Sequence, residues 1–284
     1  MKRTLSILLA CLLLCSVIPF SVFAADDAFR VVISLEGFTL GQGYYVEPTA
    51  YSVDQINALI KNDGYGPYTE DTLTAGMATL AMLNDKGLTC EISYGTWMSG
   101  GYLNTVNNID KGKVNFPAVV TANGGPSNKN YVKNPDKNLD GSDYEPWSGW
   151  MTTVNDAIIG VSACDLILKD AANAYNNTYV IRWQFSLANE NGLDMNRILG
   201  YPGWYGDAPY FPHANKDNAM IAYTESSNAR AKMNAKTTLE KLDATQAEVD
   251  ATIEPLGKAE TVWDRIVMFF VGILNAFQRL FQIG

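Results

Sequence analysis

Asp136-x-Asn138-x-Asp140-Gly141 is the stretch of this chain whose residue types and spacing come nearest to chemistry. Alternating oxygen donors converge on a hard cation, and the adjoining glycine permits a sharp turn, so the run copies the first half of a calcium loop. Trp147 stands where a bidentate carboxylate should close such a loop, which leaves Asp143 or Glu145 as substitutes. Calcium on Asp136, Asn138 and Asp140 is one reading, and a solvated acidic loop is the other. Asp140, Asp143 and Glu145 are also the closest approach to the paired carboxylates of a glycoside hydrolase.

Other catalytic sets are missing from the sequence. His213 is the one histidine, between Pro212 and Ala214, and reads as a surface or hydrogen-bonded residue. One histidine and a few cysteines cannot assemble the usual zinc ligand set. No serine sits in a nucleophile elbow, and no glycine loop is built to cradle phosphate. A protein that is not an enzyme is therefore expected. Aromatic residues are the richer resource. Trp97, Tyr102, Trp147, Trp204 and Tyr210 offer stiff apolar area with a polar tip, suited to stacking on a glycan or a planar ligand. Core packing is the competing role, and Trp150 and Trp183, both on strands, are the expected core members.

The elements that must position these residues follow from periodicity. Phe29–Phe38 reads as a first strand with Val31, Ile33 and Leu35 inward, and Tyr44-Tyr45-Val46 starts a second that Pro48 ends. Ser52 and Gln55 make a capping box for a helix carrying Val53, Ile56, Leu59 and Ile60 on one face. A further helix is expected over Asp71 to Asp85, stopping at Gly87. Residues 88–108 suit short strands or an ordered loop, and 122–149 form a long uncommitted connection. Trp150, Thr152 and Val154 share one side of a strand that ends at a turn-forming Asn155-Asp156. In Tyr179–Leu187, Arg182, Gln184 and Ser186 lie opposite the apolar face. Residues 191–215 form an aromatic, turn-rich covering, and a helical module follows at 216–258, with Thr245 and Glu248 as its capping box. Trp263–Phe281 is an amphipathic helix with Trp263, Ile266, Val267, Phe270, Ile273, Leu274, Phe277 and Phe281 on its stripe. Its uninterrupted apolar core is short against the ~20 residues a spanning helix needs. The helix therefore lies on a membrane surface or docks on protein.

Length and charge bound the rest. The 284 residues, 47% hydrophobic and 18% charged, suit one or two domains with a real core. Lys2 and Arg3, the apolar run Leu5–Phe20 and Val22-Phe23-Ala24 read as an export signal over residues 1–24, cleaved after Ala24. Its removal takes two positive charges, moving the formal charge from -9 to -11. Such an acidic chain has no long-range attraction for nucleic acid. Cys11 and Cys15 leave with the signal. Cys90 and Cys164 remain, either as one disulfide or as two buried thiols.

Three separated motifs occur in the order found in one family: Phe29–Phe38 with Thr39-Leu40-Gly41-Gln42-Gly43, Ser148–Asn155, and Val180-Ile181-Arg182-Trp183-Gln184-Phe185. Over residues 28–190 the chain resembles the transcobalamin-like C-terminal domain family of bacterial exported proteins. The resemblance implies an α+β fold: a β-grasp-like small mixed sheet with one or two packed helices, here followed by a C-terminal helical bundle and the amphipathic tail helix at 260–284. The family's turn before the Val-Ile-Arg-Trp strand is expanded here, with Ala171 to Tyr179 following Lys169-Asp170. The large helical barrel that works with the related domain in animal cobalamin carriers has no counterpart, so cobalamin is only a weak carry-over. Residues 216–258 are similar to small three-helix modules of surface proteins and carbohydrate-active enzymes. Together these readings point to a secreted or cell-envelope, non-catalytic binding module for a soluble ligand or glycan. The alternatives are a membrane-associated structural or adhesion protein and a carbohydrate-active hydrolase or its accessory module.

Overall fold

The structure, a computed structural model, describes residues 28–109, 114–123, 138–144, 148–187 and 195–281. The expected signal peptide, Asp136, Glu145 and Trp147 lie outside these residues. The fold is mixed α+β with two sheets. Strand β1 (Arg30–Glu36) forms an antiparallel hairpin with β2 (Tyr44–Ser52). Helices α1 (Val53–Ile60) and α2 (Ala75–Asp85) follow and pack on each other. Strands β3 (Thr89–Ser93), β4 (Tyr102–Asn107) and β5 (Leu139–Asp140) make the smaller sheet, and α3 (Ala118–Ala122) lies in the connection between β4 and β5. Strands β6 (Gly149–Val154), β7 (Ala157–Ile158) and β8 (Thr178–Ser186) complete the larger sheet, whose order is β2-β1-β8-β6-β7. Among the described strands of this sheet, β1 and β8 are the pair that runs parallel, in register from Arg30↔Thr178 to Glu36↔Gln184.

Local chemistry explains the boundaries. The capping box at α1 is present in full, the Ser52 hydroxyl accepting from the Gln55 N–H and the Gln55 side chain accepting from the Ser52 N–H. Helix α2 starts at Ala75, later than the expected Asp71, because the Thr74 hydroxyl caps it and residues 69–73 are spent on a turn. The expectation that Pro48 ends β2 fails. The strand lies at the sheet edge, where the missing N–H costs little, and register shifts spread Tyr44–Thr49 across only Ile33–Glu36. Asn155 and Asp156 have φ of 51° and 61°, the paired left-handed conformation of a two-residue hairpin turn, which joins β6 to β7.

The face of the sheet toward α1 and α2 carries the main core. Val31, Ile33 and Leu35 of β1, Tyr179, Ile181, Trp183 and Phe185 of β8, and Trp150 of β6 meet Ile56, Ile60, Met77 and Leu83 there. Trp150 stands edge-on to Phe185 at 5.3 Å and donates its indole N–H to the Leu139 carbonyl at 3.4 Å. Trp183 donates to the Thr79 hydroxyl at 2.8 Å. Both tryptophans are core residues, as alternation along the strands requires.

The opposite face is also covered. Helices α4 (Met195–Ile198), α5 (Asp217–Glu225), α6 (Ala229–Leu239) and α7 (Gln246–Leu256) follow β8. Ala219, Met220 and Tyr223 of α5 pack with Ala231, Ala235 and Val249 against Val32 and Val180 of the sheet, forming a second core. Every residue of β8 is consequently buried. Helix α8 (Val262–Phe281) runs on from this layer.

Asn155 ties the turn to the sheet, its side chain accepting from the Val180 N–H and donating to the Ala172 carbonyl. Asn155→Ala leaves the buried Val180 amide unpaired and should lower the unfolding free energy by about 1–3 kcal/mol in urea titration. An effect within a few tenths of a kcal/mol would remove Asn155 from this role.

Candidate functional site

Between the sheet and its helical cover lies a stripe of polar side chains sealed from solvent. Ser34 and Glu36 of β1 sit beside Arg182 and Gln184 of β8, Glu36 1% and Arg182 2% exposed. Parallel register places Glu36 against Gln184, two residues along from Arg182, so the guanidinium reaches across. It donates twice to Glu36, from Nε at 2.9 Å and from Nη2 at 2.8 Å, while the Ser34 hydroxyl donates to the same carboxylate at 2.6 Å. A paired geometry of this kind is what allows a charge to stay buried.

The cover adds its own ionisable groups. The Lys216 ammonium donates to the carbonyls of Leu239 and Lys241, at 2.9 and 2.8 Å, satisfying the C-terminal end of α6. Burial, aided by the Arg182 charge and opposed by Glu36, brings Lys216 down to about 7. Asp217, at the start of α5, has no well-formed hydrogen bond to either carboxylate oxygen among the described residues, although the Tyr175 hydroxyl beside it favours its charged form. Burial pushes its carboxyl up to about 7, with Arg182 opposing and Asp156 reinforcing the rise. At the other end, Asp156 accepts from the Tyr201 hydroxyl at 3.1 Å and meets His213 Nε2 at 2.7 Å. The Tyr201 and His213 rings lie 4.1 Å apart. The stripe is closed, so it acts as a fastening between layers.

An open concavity lies at the sheet edge. The outer side of β2, from Tyr45 to Ala50, forms the floor of a groove of about 690 Å³. Lys86 and Leu88, beyond α2, form one wall, and Tyr223, Thr224 and Lys232 of α5 and α6 form the other. Glu47 on the floor accepts from Tyr223 at 2.6 Å and is paired with Lys236. Burial would raise the Glu47 carboxyl, but the Lys236 and Tyr223 hydrogen bonds outweigh it and hold it below its usual value. Lys86 is paired with Asp85 at 2.8 Å. Lys232 lies over the Tyr223 ring at 4.4 Å, and burial lowers its affinity for a proton against the pull of Glu47. The groove therefore offers one cation stacked on an aromatic ring, beside a neutralised acid.

Of the five aromatics expected to bind ligand, Trp147 lies outside the described residues, and Trp97, Tyr102, Trp204 and Tyr210 do not line this groove. Trp97 is half-buried against the main core. Tyr102 is also half-buried, and burial pushes its hydroxyl up to about 12. Trp204 is exposed in the turn at 203–206, and Tyr210 stacks under Arg197 at 4.2 Å. The Asp140 carboxylate accepts from the Ser142 N–H and hydroxyl and from the Thr105 hydroxyl, so its oxygens serve its own turn. Asp143 is buried and accepts from the Asp140 N–H. Among the described residues no group of three or more His, Cys, Asp or Glu is placed to hold a metal ion. Cys90 and Cys164 are free thiols in this structure, Cys164 buried and Cys90 half-buried. Burial, and next the nearby Cys164, pushes Cys90 up to about 11.

Sequence reasoning missed both the stripe and the groove. Arg182, Gln184 and Ser186 alternate as a solvent face would, and the only hint of their burial was the aromatic covering that follows. Tyr45, Glu47, Tyr223 and Lys232 are scattered over nearly two hundred residues with no motif among them. Comparison with known proteins finds no matching family, no matching curated protein and no matching solved structure.

Two outcomes test the stripe. Arg182→Met strands the Glu36 carboxylate and should cost about 3–5 kcal/mol in urea unfolding, whereas the double variant Glu36→Met/Arg182→Met should cost less than the single. Simple addition of the two single effects would contradict the pairing. Asp217 titrates near 7 when folded and near 3.8 when unfolded, so the folded state holds a proton that the unfolded state releases. Stability tied to it is full below pH 4 and declines as pH rises toward 7. Asp217→Asn should thus raise Tm relative to wild type at pH 8 and leave it nearly unchanged at pH 4. An equal shift at both pH values would count against a buried, unpaired carboxylate.

Proposed function

We propose that this protein is an exported, non-catalytic binding module that takes an elongated, anionic soluble ligand in the groove beside β2. The observation that carries the reading is the groove itself: a strand floor, two walls, an aromatic ring and Lys232, a cation with no ion-pair partner among the described residues. A carboxylate on the ligand would meet Lys232, and a flat ring or sugar face would lie against the half-buried Tyr45. Pro48 and the register shifts interrupt the outer edge of β2, which disfavours a ligand that simply adds a strand to the sheet. Recognition through side chains suits an acidic oligosaccharide better than a peptide backbone.

The order β2-β1-β8-β6, with its outer hairpins and parallel central pair, supports a β-grasp-like assignment in which α1 and α2 fill the concave side. It is consistent with the resemblance to the transcobalamin-like C-terminal domain family. The apolar N-terminal run supports export. The hydrolase alternative gains nothing from Asp143, which is buried and engaged with its own turn.

A thermal-shift screen with neutral glycans, uronic-acid oligosaccharides, corrinoids and calcium tests the reading. An acidic oligosaccharide should raise Tm for wild type and fail to do so for Lys232→Glu. Unaltered Tm with every class, or an equal response in the variant, would overturn it.

A further inference from the structure

Helix α8 is attached to the body by the wrong side for a helix that is part of a core. At 100° per residue, Trp263, Ile266, Phe269, Phe270, Ile273 and Leu274 fall within one arc of about 140°. The partly covered residues of the helix, Asp264, Val267, Met268 and Val271, lie at the margin of that arc or outside it. This side meets α6, where Arg230 donates to Asp264 at 3.2 Å. The apolar arc points away from the protein: Trp263 is 64%, Phe269 61%, Phe270 62% and Leu274 59% exposed. A docking helix would show the opposite pattern.

We propose that this outward arc is a membrane-surface anchor, lying in the interface of a bilayer of low surface charge. Three observations favour a lipid surface over a second copy of the chain. The arc is wider than the narrow seam through which two helices pair, and it matches a half-immersed cylinder. Its exposed residues include Trp263, Phe269 and Phe270, and tryptophan in particular favours the interfacial region. The chain carries a formal charge of -9, so two bodies repel each other and an anionic bilayer repels them both. The helix cannot cross: among the described residues none is long and apolar enough to span a membrane. Attachment therefore leaves the whole body on one side, with α8 flat beneath α6.

The test is co-sedimentation of the full chain with phosphatidylcholine vesicles, comparing wild type, Phe270→Asp/Leu274→Asp, and Met233→Asp. Met233 is an exposed apolar residue of α6 and controls for general stickiness. All three proteins share the apolar N-terminal run, so any difference between them belongs to the substituted face. The expected result is partition at least tenfold weaker for the double variant and unchanged for Met233→Asp, with phosphatidylglycerol adding nothing. Equal partition of the double variant and wild type would overturn the proposal. So would a wild-type dimer in sedimentation velocity that Phe270→Asp/Leu274→Asp dissolves while vesicle binding stays the same.

Discussion

A guanidinium and a carboxylate buried together on the parallel strand pair β1 and β8 of the larger sheet set the terms for the rest of this fold. Glu36 and Arg182 could not keep their charges there if the sheet face were merely apolar, nor would they need burial if it were open. Two N–H donors and the Ser34 hydroxyl satisfy the carboxylate. The cover then has to be polar where it meets them, and it is: Lys216, Asp217, Tyr201 and Asp156 come from the segment after β8 or from the hairpin turn beneath it. Removing the pair's surroundings would expose an ionic stripe between two apolar patches, which makes the C-terminal helices part of the same folded unit as the sheet.

The cost of that arrangement is visible in the cover. Lys216 and Asp217 both sit far from their ordinary proton affinities because burial penalises their charged forms, and the neighbouring Tyr175 hydroxyl offsets little of that penalty for Asp217. Lys216 is better placed, since the carbonyls at the end of α6 need a donor there anyway. The groove beside β2 grows from the same packing. Helices α5 and α6 reach the sheet edge, Tyr223 and Lys236 hold Glu47, and Glu240 accepts from the Tyr44 N–H at 3.0 Å. The wall bearing Lys232 exists only because the helices are fixed to the sheet.

Much of this architecture was legible in the residues. Alternation placed Trp150 and Trp183 in the core, and the two capping boxes located α1 and α7, because those signals are local and have one physical meaning. Asn155-Asp156 announced its turn for the same reason. Pro48 misled because a missing N–H ends a central strand but is harmless at an edge, and edge position is a property of the sheet order. Arg182 and Gln184 were placed opposite the apolar face, but what covers them was not legible. A polar alternation says which residues share a face and nothing about what covers it. The stacking candidates Trp97, Tyr102 and Tyr210 each meet other parts of the protein, and a type of side chain does not define a concavity. Helix α8 was readable as amphipathic, but only its attachment to α6 revealed that the apolar side faces outward.

The central claim, that sheet and helical cover are one cooperative unit fastened by the buried stripe, is tested most directly by native-state hydrogen exchange across low denaturant concentrations. The amides of β1 and β8 and those of α5, α6 and α7 should converge on a single opening, with the same free energy and the same denaturant dependence. Helical amides that exchange through their own smaller opening, while the strands stay protected, would contradict it.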